Sequence, residues 1–149
     1  DAQHEEQVSD VAFKFQTQSP AITPFGSGST APASRITTQQ VRDLIKARRL
    51  RDEYFKSELF ADPAWDMLLD LMAARLEDKR VSVSSLCIAA HVPPTTALRW
   101  IKTMTAEKIF QRRADTEDGR RVFIELSDAS TAGMIGYFSM LRRRNMMAI

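Results

Sequence analysis

Between Val81 and Leu126 the apolar residues change their period several times over a short stretch, and the order of those changes admits few folds. Val81-Ser82-Val83 reads as a brief strand. Ser84 or Ser85 can then cap a short helix carrying Leu86, Ala89 and Ala90, and His91-Val92-Pro93 makes a turn. A second helix is predicted from about 94 to 107, because Ala97, Trp100, Ile101 and Met104 share one helical face. Residues 109–113 and 121–126 alternate as two strands around a polar loop from Ala114 to Arg120, where Gly119 suits a tight turn.

Helices are predicted on both sides of this stretch. Thr37 and Gln40 have capping-box spacing, and Val41, Leu44, Ile45, Tyr54 and Phe55 extend an apolar stripe to about residue 57. Asp62-Pro63 opens the next helix, whose stripe is Trp65, Leu68, Leu69, Met72 and Leu76 and which ends near residues 77–80. A last helix, capped by Ser127 or Asp128, carries Met134, Ile135, Phe138 and Leu141 and ends in Arg142-Arg143-Arg144. Residues 17–34 are rich in Ser, Thr, Pro and Gly and read as a linker, while Val11, Phe13 and Phe15 alternate before it like a short strand. The expected organisation is an extended, partly acidic arm over 1–34 and one domain over 35–149.

A short helix, a tight turn, an amphipathic helix and a basic hairpin follow one another in the order of a winged helix-turn-helix. The fold class expected is therefore mainly α (α+β), with flanking N- and C-terminal helices whose apolar stripes pair two subunits. With Ala97, Trp100, Ile101 and Met104 turned inward, the second helix offers Thr95, Thr96, Leu98, Arg99 and Lys102 to a major groove, where each base pair has its own donor and acceptor pattern. Arg99 suits base reading, since a guanidinium can grip a guanine edge with two hydrogen bonds. Pro94 begins the helix, Thr95 and Thr96 near its N-terminus suit contacts to phosphate or to a thymine methyl, and Lys102 suits a phosphate contact. The wing, about 114–121, carries Arg120 at its tip with Arg112, Arg113 and Arg121 on its flanks, and is expected in the adjacent minor groove. Acidic Asp115, Glu117 and Asp118 oppose that placement unless one of them orients an arginine.

Residues 62–128 resemble the multiple antibiotic resistance regulator (MarR) family of bacterial winged-helix transcription factors. The resemblance rests on Pro94-Thr95-Thr96-Ala97-Leu98-Arg99-Trp100-Ile101, on the wing segment Glu117-Asp118-Gly119-Arg120-Arg121-Val122, and on Glu125-Leu126-Ser127 leading into a helix. It implies a homodimer on a roughly palindromic operator, with the helices outside the winged module forming the dimer interface. By motif position it assigns Thr95, Thr96 and Arg99 to the major groove and Arg120 to the minor groove. His91 stands where the family's turn usually has Gly, and one helix follows the wing where the family usually has two.

Charge agrees with a polyanion partner. Residues 1–34 carry Lys14 against Asp1, Glu5, Glu6 and Asp10, so of the chain's 21 basic and 19 acidic side chains, 20 and 15 fall in residues 35–149. No apolar run is long enough for a membrane span, the N-terminus lacks the pattern of a secretion signal, and the lone Cys87 cannot form an intramolecular disulfide. Together these point to the cytoplasm. Neither a phosphate-cradling glycine loop nor a nucleophile–histidine signature is present, and His4, His91 and Cys87 make no metal-ligand set of recognised spacing. The expectation is a transcriptional regulator bound to double-stranded DNA, with no enzymatic activity and no cofactor. The alternative is a winged-helix protein-interaction module that does not bind DNA. Cys87, among Leu86, Ile88, Ala89 and Ala90, reads as an inert thiol, and the stripe of Trp65, Met72, Trp100 and Met104 as core.

Overall fold

Thr37 caps helix α1 (Thr38–Leu50) as its spacing to Gln40 predicts. Its hydroxyl accepts from the Gln40 N–H at 3.1 Å, and Gln40 Oε1 accepts from the Thr37 N–H at 2.9 Å. The structure, a computed structural model, describes residues 36–146 and divides them into two units, Ile36–Ser127 and a C-terminal helix from Asp128. The expected arm over 1–34, with its strand at Val11 to Phe15, lies outside the described residues.

The first helix is shorter than its apolar stripe predicts. It stops at Leu50 and tightens into 3-10 turns at Arg51–Glu53 and Ser57–Phe60, leaving Tyr54 and Phe55 exposed. The turn beyond Ile45 is occupied by charge instead: Arg48 Nε and Arg49 Nη2 donate to the buried Asp66 carboxylate at 2.6 and 3.0 Å. The aromatic residues form a local cluster, with Phe55 edge-on to Phe60 at 5.7 Å and the Arg51 guanidinium 4.9 Å from the Phe60 ring centre.

Helix α2 (Pro63–Leu76) starts at Asp62, which accepts from the Trp65 N–H at 3.4 Å, with Pro63 in the first turn where its missing donor costs nothing. Leu69 and Met72 of the predicted stripe are buried, but so are Met67, Leu71, Ala73 and Ala74, whereas Leu76 is exposed and Trp65 and Leu68 are half-buried. The reason is that α2 packs against several elements at once, among them α1, the two helices that follow and the sheet, so no single stripe describes it.

Strand β1 (Val81–Ser82), helices α3 (Val83–Ala89) and α4 (Pro94–Ala106), and strands β2 (Phe110–Ala114) and β3 (Val122–Leu126) complete the unit. The cap of α3 is Ser82, whose Oγ accepts from the Ser85 N–H at 3.2 Å; the helix begins at Val83, ahead of both predicted caps, and Val83 belongs to it rather than to the strand. The sheet is antiparallel in the order β1-β3-β2, with Val81 opposite Ile124 and Phe110 opposite Leu126. Alternation turns Phe110, Ile124 and Leu126 inward, and they are buried along with Leu86 of α3, Ala90 at its C-terminal cap, and Ala97, Ile101 and Met104 of α4.

Both α2 and α4 end in a reciprocal pair of bonds around a left-handed residue. Lys79 N–H donates to the Ala74 carbonyl at 2.8 Å around Asp78 (φ 55°), and Ile109 N–H donates to the Met104 carbonyl at 2.9 Å around Lys108 (φ 62°). The second joins α4 directly to β2. The C-terminal helix α5 (Asp128–Arg143) closes the same way at Asn145 (φ 57°); along it Met134 and Phe138 are buried and Tyr137 lies edge-on to Phe138 at 5.6 Å.

Candidate nucleic-acid interface

Helix α4 begins at Pro93-Pro94 with no side-chain cap, so the N–H groups of Thr95 and Thr96 open its first turn without a side-chain partner at the cap. Ala97, Ile101 and Met104 are its buried residues. Trp100, expected beside them, is 39% exposed. At about 100° per residue it sits roughly 60° to one side of that buried row, on the rim of the contact. Thr95, Leu98, Arg99 and Lys102 occupy the opposite face and are exposed, while Thr96 is half-buried. No described residue supplies a carboxylate to Arg99 or Lys102.

The turn before α4 depends on His91, which adopts the left-handed conformation (φ 56°) and hydrogen-bonds through Nδ1 to the Ala89 carbonyl at 2.7 Å. The ring thus serves its own turn.

The wing is organised by its acidic residues. Asp115 Oδ1 accepts from the Glu117 N–H at 3.0 Å, and Asp118 Oδ1 accepts from the Arg120 N–H at 3.1 Å and lies 3.5 Å from Arg120 Nε. Main-chain bonds from Asp115 N–H to the Arg121 carbonyl and from Arg121 N–H to the Asp118 carbonyl, at 3.0 and 2.9 Å, close the loop. These carboxylates therefore shape the turn that presents Arg120. Gly119 does so without a positive φ, and a Cβ there would meet nothing within 4 Å; the turn does not need glycine.

The four wing-region arginines separate by strand face. Arg113 donates from Nε and Nη2 to both Glu125 oxygens at 2.9 Å, and Gln111 Nε2 donates to the same carboxylate. The guanidinium beside it holds the Glu125 carboxyl below the usual range. Arg112, one residue away, faces the other side. With Arg120 and Arg121 it borders a groove of about 920 Å³ that runs between the wing and the α3–α4 pair. The Arg121 guanidinium also lies 5.7 Å from the Phe123 ring centre.

Of the residues singled out in the sequence, Pro94, Leu98, Arg112, Arg120 and Arg121 line this groove; Thr95, Thr96, Arg99 and Lys102 lie on α4 outside its lining, and Arg113 is engaged elsewhere. Sequence reasoning missed its apolar floor, where Ile88 (76% exposed), Val92, Val122 and Phe123 join Leu98. Ile88 sits on the exposed side of a helix only seven residues long, too short for its period to show. Cys87 is half-buried in the same floor, and burial pushes its thiol up, so it stays protonated at neutral pH.

The sheet, the two helices and the hairpin together are a winged helix-turn-helix, the fold expected from the sequence and implied by its resemblance to the MarR family. Among solved structures the chain is similar to the Staphylococcus aureus MepR–DNA complex, with a TM-score of 0.50 and 15% identity over 72% of this chain and 83% of that one. It is also similar to S. aureus MepR in its DNA-binding conformation (TM-score 0.46, 15% identity, 74% and 80% covered) and to apo, heme-free PefR (0.44, 17%, 72% and 91%). The likeness to the MepR–DNA complex, at 15% identity, is one of fold alone. No family profile and no curated protein matches the sequence. No helix among the described residues is long and apolar enough to cross a membrane.

Proposed function

We propose that this chain is a sequence-specific transcriptional regulator that binds double-stranded DNA as a homodimer, with α4 in the major groove and the wing, about 114–121, in the adjacent minor groove. The observation that carries this reading is that cations without a carboxylate partner gather on α4 and beside the wing. Arg42, Arg48, Arg49 and Arg113 are each held by a carboxylate within 3.0 Å, whereas Arg99, Lys102, Arg112 and Arg121 have none among the described residues. Those four lie on the outer face of α4 and beside the wing, where a polyanion could neutralise them together. The comparison with MepR, solved in complex with DNA on a similar fold, supports the same reading.

In this reading Arg99 contacts a base edge; Thr95, Thr96 and Lys102 contact phosphate; and Arg120 enters the minor groove. Residues 35–149 form the DNA-binding domain, with the terminal helices pairing two copies. Exposed Leu50, Tyr54, Phe55 and Leu59 in one unit, and Tyr137, Met140 and Met146 in the other, are apolar surface that a second copy would cover. The decisive experiment titrates the full chain with random duplex DNA at several salt concentrations and then selects preferred sequences. Steeply salt-dependent affinity and recovery of an inverted repeat are expected. Arg99→Ala should lose ~1–3 kcal/mol of discrimination at one base pair per half-site. Equal weakening on every sequence would remove Arg99 from base reading, and absence of binding at low salt would leave a protein-interaction module.

A further inference from the structure

The groove between the wing and α3–α4 has two chemistries, and duplex DNA uses only one of them. Its rim is cationic, with Arg112, Arg120 and Arg121, and phosphates would satisfy it. Its floor is apolar: Ile88 and Leu98 are 76% and 48% exposed, and Val92, Val122 and Phe123 continue the surface. A phosphate backbone leaves that floor in water, whereas an occupant with apolar side chains would cover it and gain from its burial. The occupant that fits both is an extended segment with carboxylates and apolar side chains in close succession.

The chain itself contains such a segment. Residues 1–16 carry Asp1, Glu5, Glu6 and Asp10, followed by Val11, Phe13 and Phe15 at every second position. Alternation in an extended chain puts those three side chains on one face, with about 6.8 Å between successive ones. The opposite charge sits on the groove rim, and only Lys14 in the segment opposes it. Residues 17–35 connect the segment to the described unit; at roughly 3.3 Å per residue they reach about 60 Å when extended. A compact unit of this size is only about 30–35 Å across, so the tether is long enough to bring the segment to any point on it. Tethering raises the segment's effective concentration near the groove to the millimolar range, so a weak contact suffices for competition.

We infer that residues 1–16 dock into the groove between the wing and α3–α4, with Val11, Phe13 and Phe15 on its apolar floor and the carboxylates at its arginine rim. Because the same arginines are assigned to DNA above, the docked segment competes with DNA; this competition rests on the proposed DNA binding, and the docking does not. The competition selects between duplexes, since a weakly bound random sequence is displaced sooner than a tight operator.

Two full-length variants test it, F13S/F15S and E5Q/E6Q/D10N, with two readouts. The first needs no DNA: the methyl resonances of Ile88 and Leu98 in the labelled full chain should move in both variants, because both variants empty the groove. The second is affinity for a random 20-base-pair duplex at low salt, which should tighten about 3- to 10-fold in both. Moved methyls without DNA affinity would support the docking while refuting the DNA-binding reading. Unmoved methyls in both variants would overturn the docking whatever the affinity. Methyl shifts that fade on dilution of the wild-type chain would place a second copy's segment in the groove and overturn docking within one chain.

Discussion

Arg112 and Arg113 are neighbours on β2, so the alternation of the strand sends them to opposite faces, and only one of them should contribute to DNA binding. Arg112 borders the groove and has no carboxylate partner among the described residues, while Arg113 donates from Nε and Nη2 to Glu125 at 2.9 Å. Each phosphate neutralised adds roughly 0.9 to the slope of log affinity against log salt. The proposed homodimer would present Arg112 twice, so Arg112→Ala should flatten that slope by about 1.8. Raising salt from about 50 to 200 mM would then cost the variant about 12-fold less affinity than it costs the wild type. Arg113→Ala should leave the slope unchanged and lower the urea midpoint instead, because Glu125 loses both of its bonds from Arg113 and keeps only Gln111. Fluorescence anisotropy with a labelled duplex at four salt concentrations reads the slope directly. Equal flattening by both substitutions, or flattening by neither, would refute the assignment of the two faces.

The Arg48–Asp66–Arg49 cluster should be a stability element: Asp66→Ala leaves Arg48, whose side chain is 13% exposed, as a buried unpaired cation. A loss of about 3–5 kcal/mol in urea unfolding is expected, and a loss under about 1 kcal/mol would contradict this. Glu125 contributes stability through its depressed carboxyl, present above the unfolded value near 4.5 and lost as pH falls through the lower folded value. Wild type should therefore lose more stability than Arg113→Ala as pH falls below about 4.5, and parallel losses would argue against the coupling. Lys108→Gly, at the left-handed hinge between α4 and β2, should raise stability by about 0.5–1 kcal/mol, and destabilisation there would show that the Lys108 side chain makes a contact of its own.

What the sequence disclosed depended on whether local chemistry or packing decided the outcome. The capping box at Thr37, Pro93-Pro94, the strand alternation and the turn at His91 are local, and the starts of α1 and α4 and the positions of β2 and β3 followed from them. The end of α1 did not, because it is set by Asp66 pairing with Arg48 and Arg49 across 18 and 17 positions of chain. Periodicity counts apolar residues and cannot see that a charged pair has replaced them. Trp100 was misplaced for a related reason: its position is at the margin of the buried row, and only the neighbouring elements decide which margin is covered. The groove was legible in its arginines and illegible in its floor, since Ile88 and Phe123 come from separate short elements.

The acidic wing residues show how composition can mislead about electrostatics. Asp115, Glu117 and Asp118 seem to weaken a basic tip, yet Asp115 and Asp118 accept main-chain N–H groups within the turn and Asp115 is nearly buried, its side chain 10% exposed. Arg80, 3.9 Å from Asp115, ties that turn back toward β1, and its guanidinium also lies 5.4 Å from the Phe123 ring centre. Such carboxylates trade some attraction for phosphate against a defined position for Arg120, whose side chain is 94% exposed and would otherwise sample many directions. In the proposed complex, where the wing enters a narrow groove at a fixed distance from α4, position is worth more than one unit of charge. That distance is held by a rigid path: α4 closes on Lys108, passes directly into β2 through Ile109, and buries Ile101, Met104 and Phe110 at the junction. Asp118→Ala should accordingly weaken binding to a selected operator more than to random duplex, even though it removes a negative charge. Tighter binding to both would show that the charge, and not the shape it enforces, governs the wing.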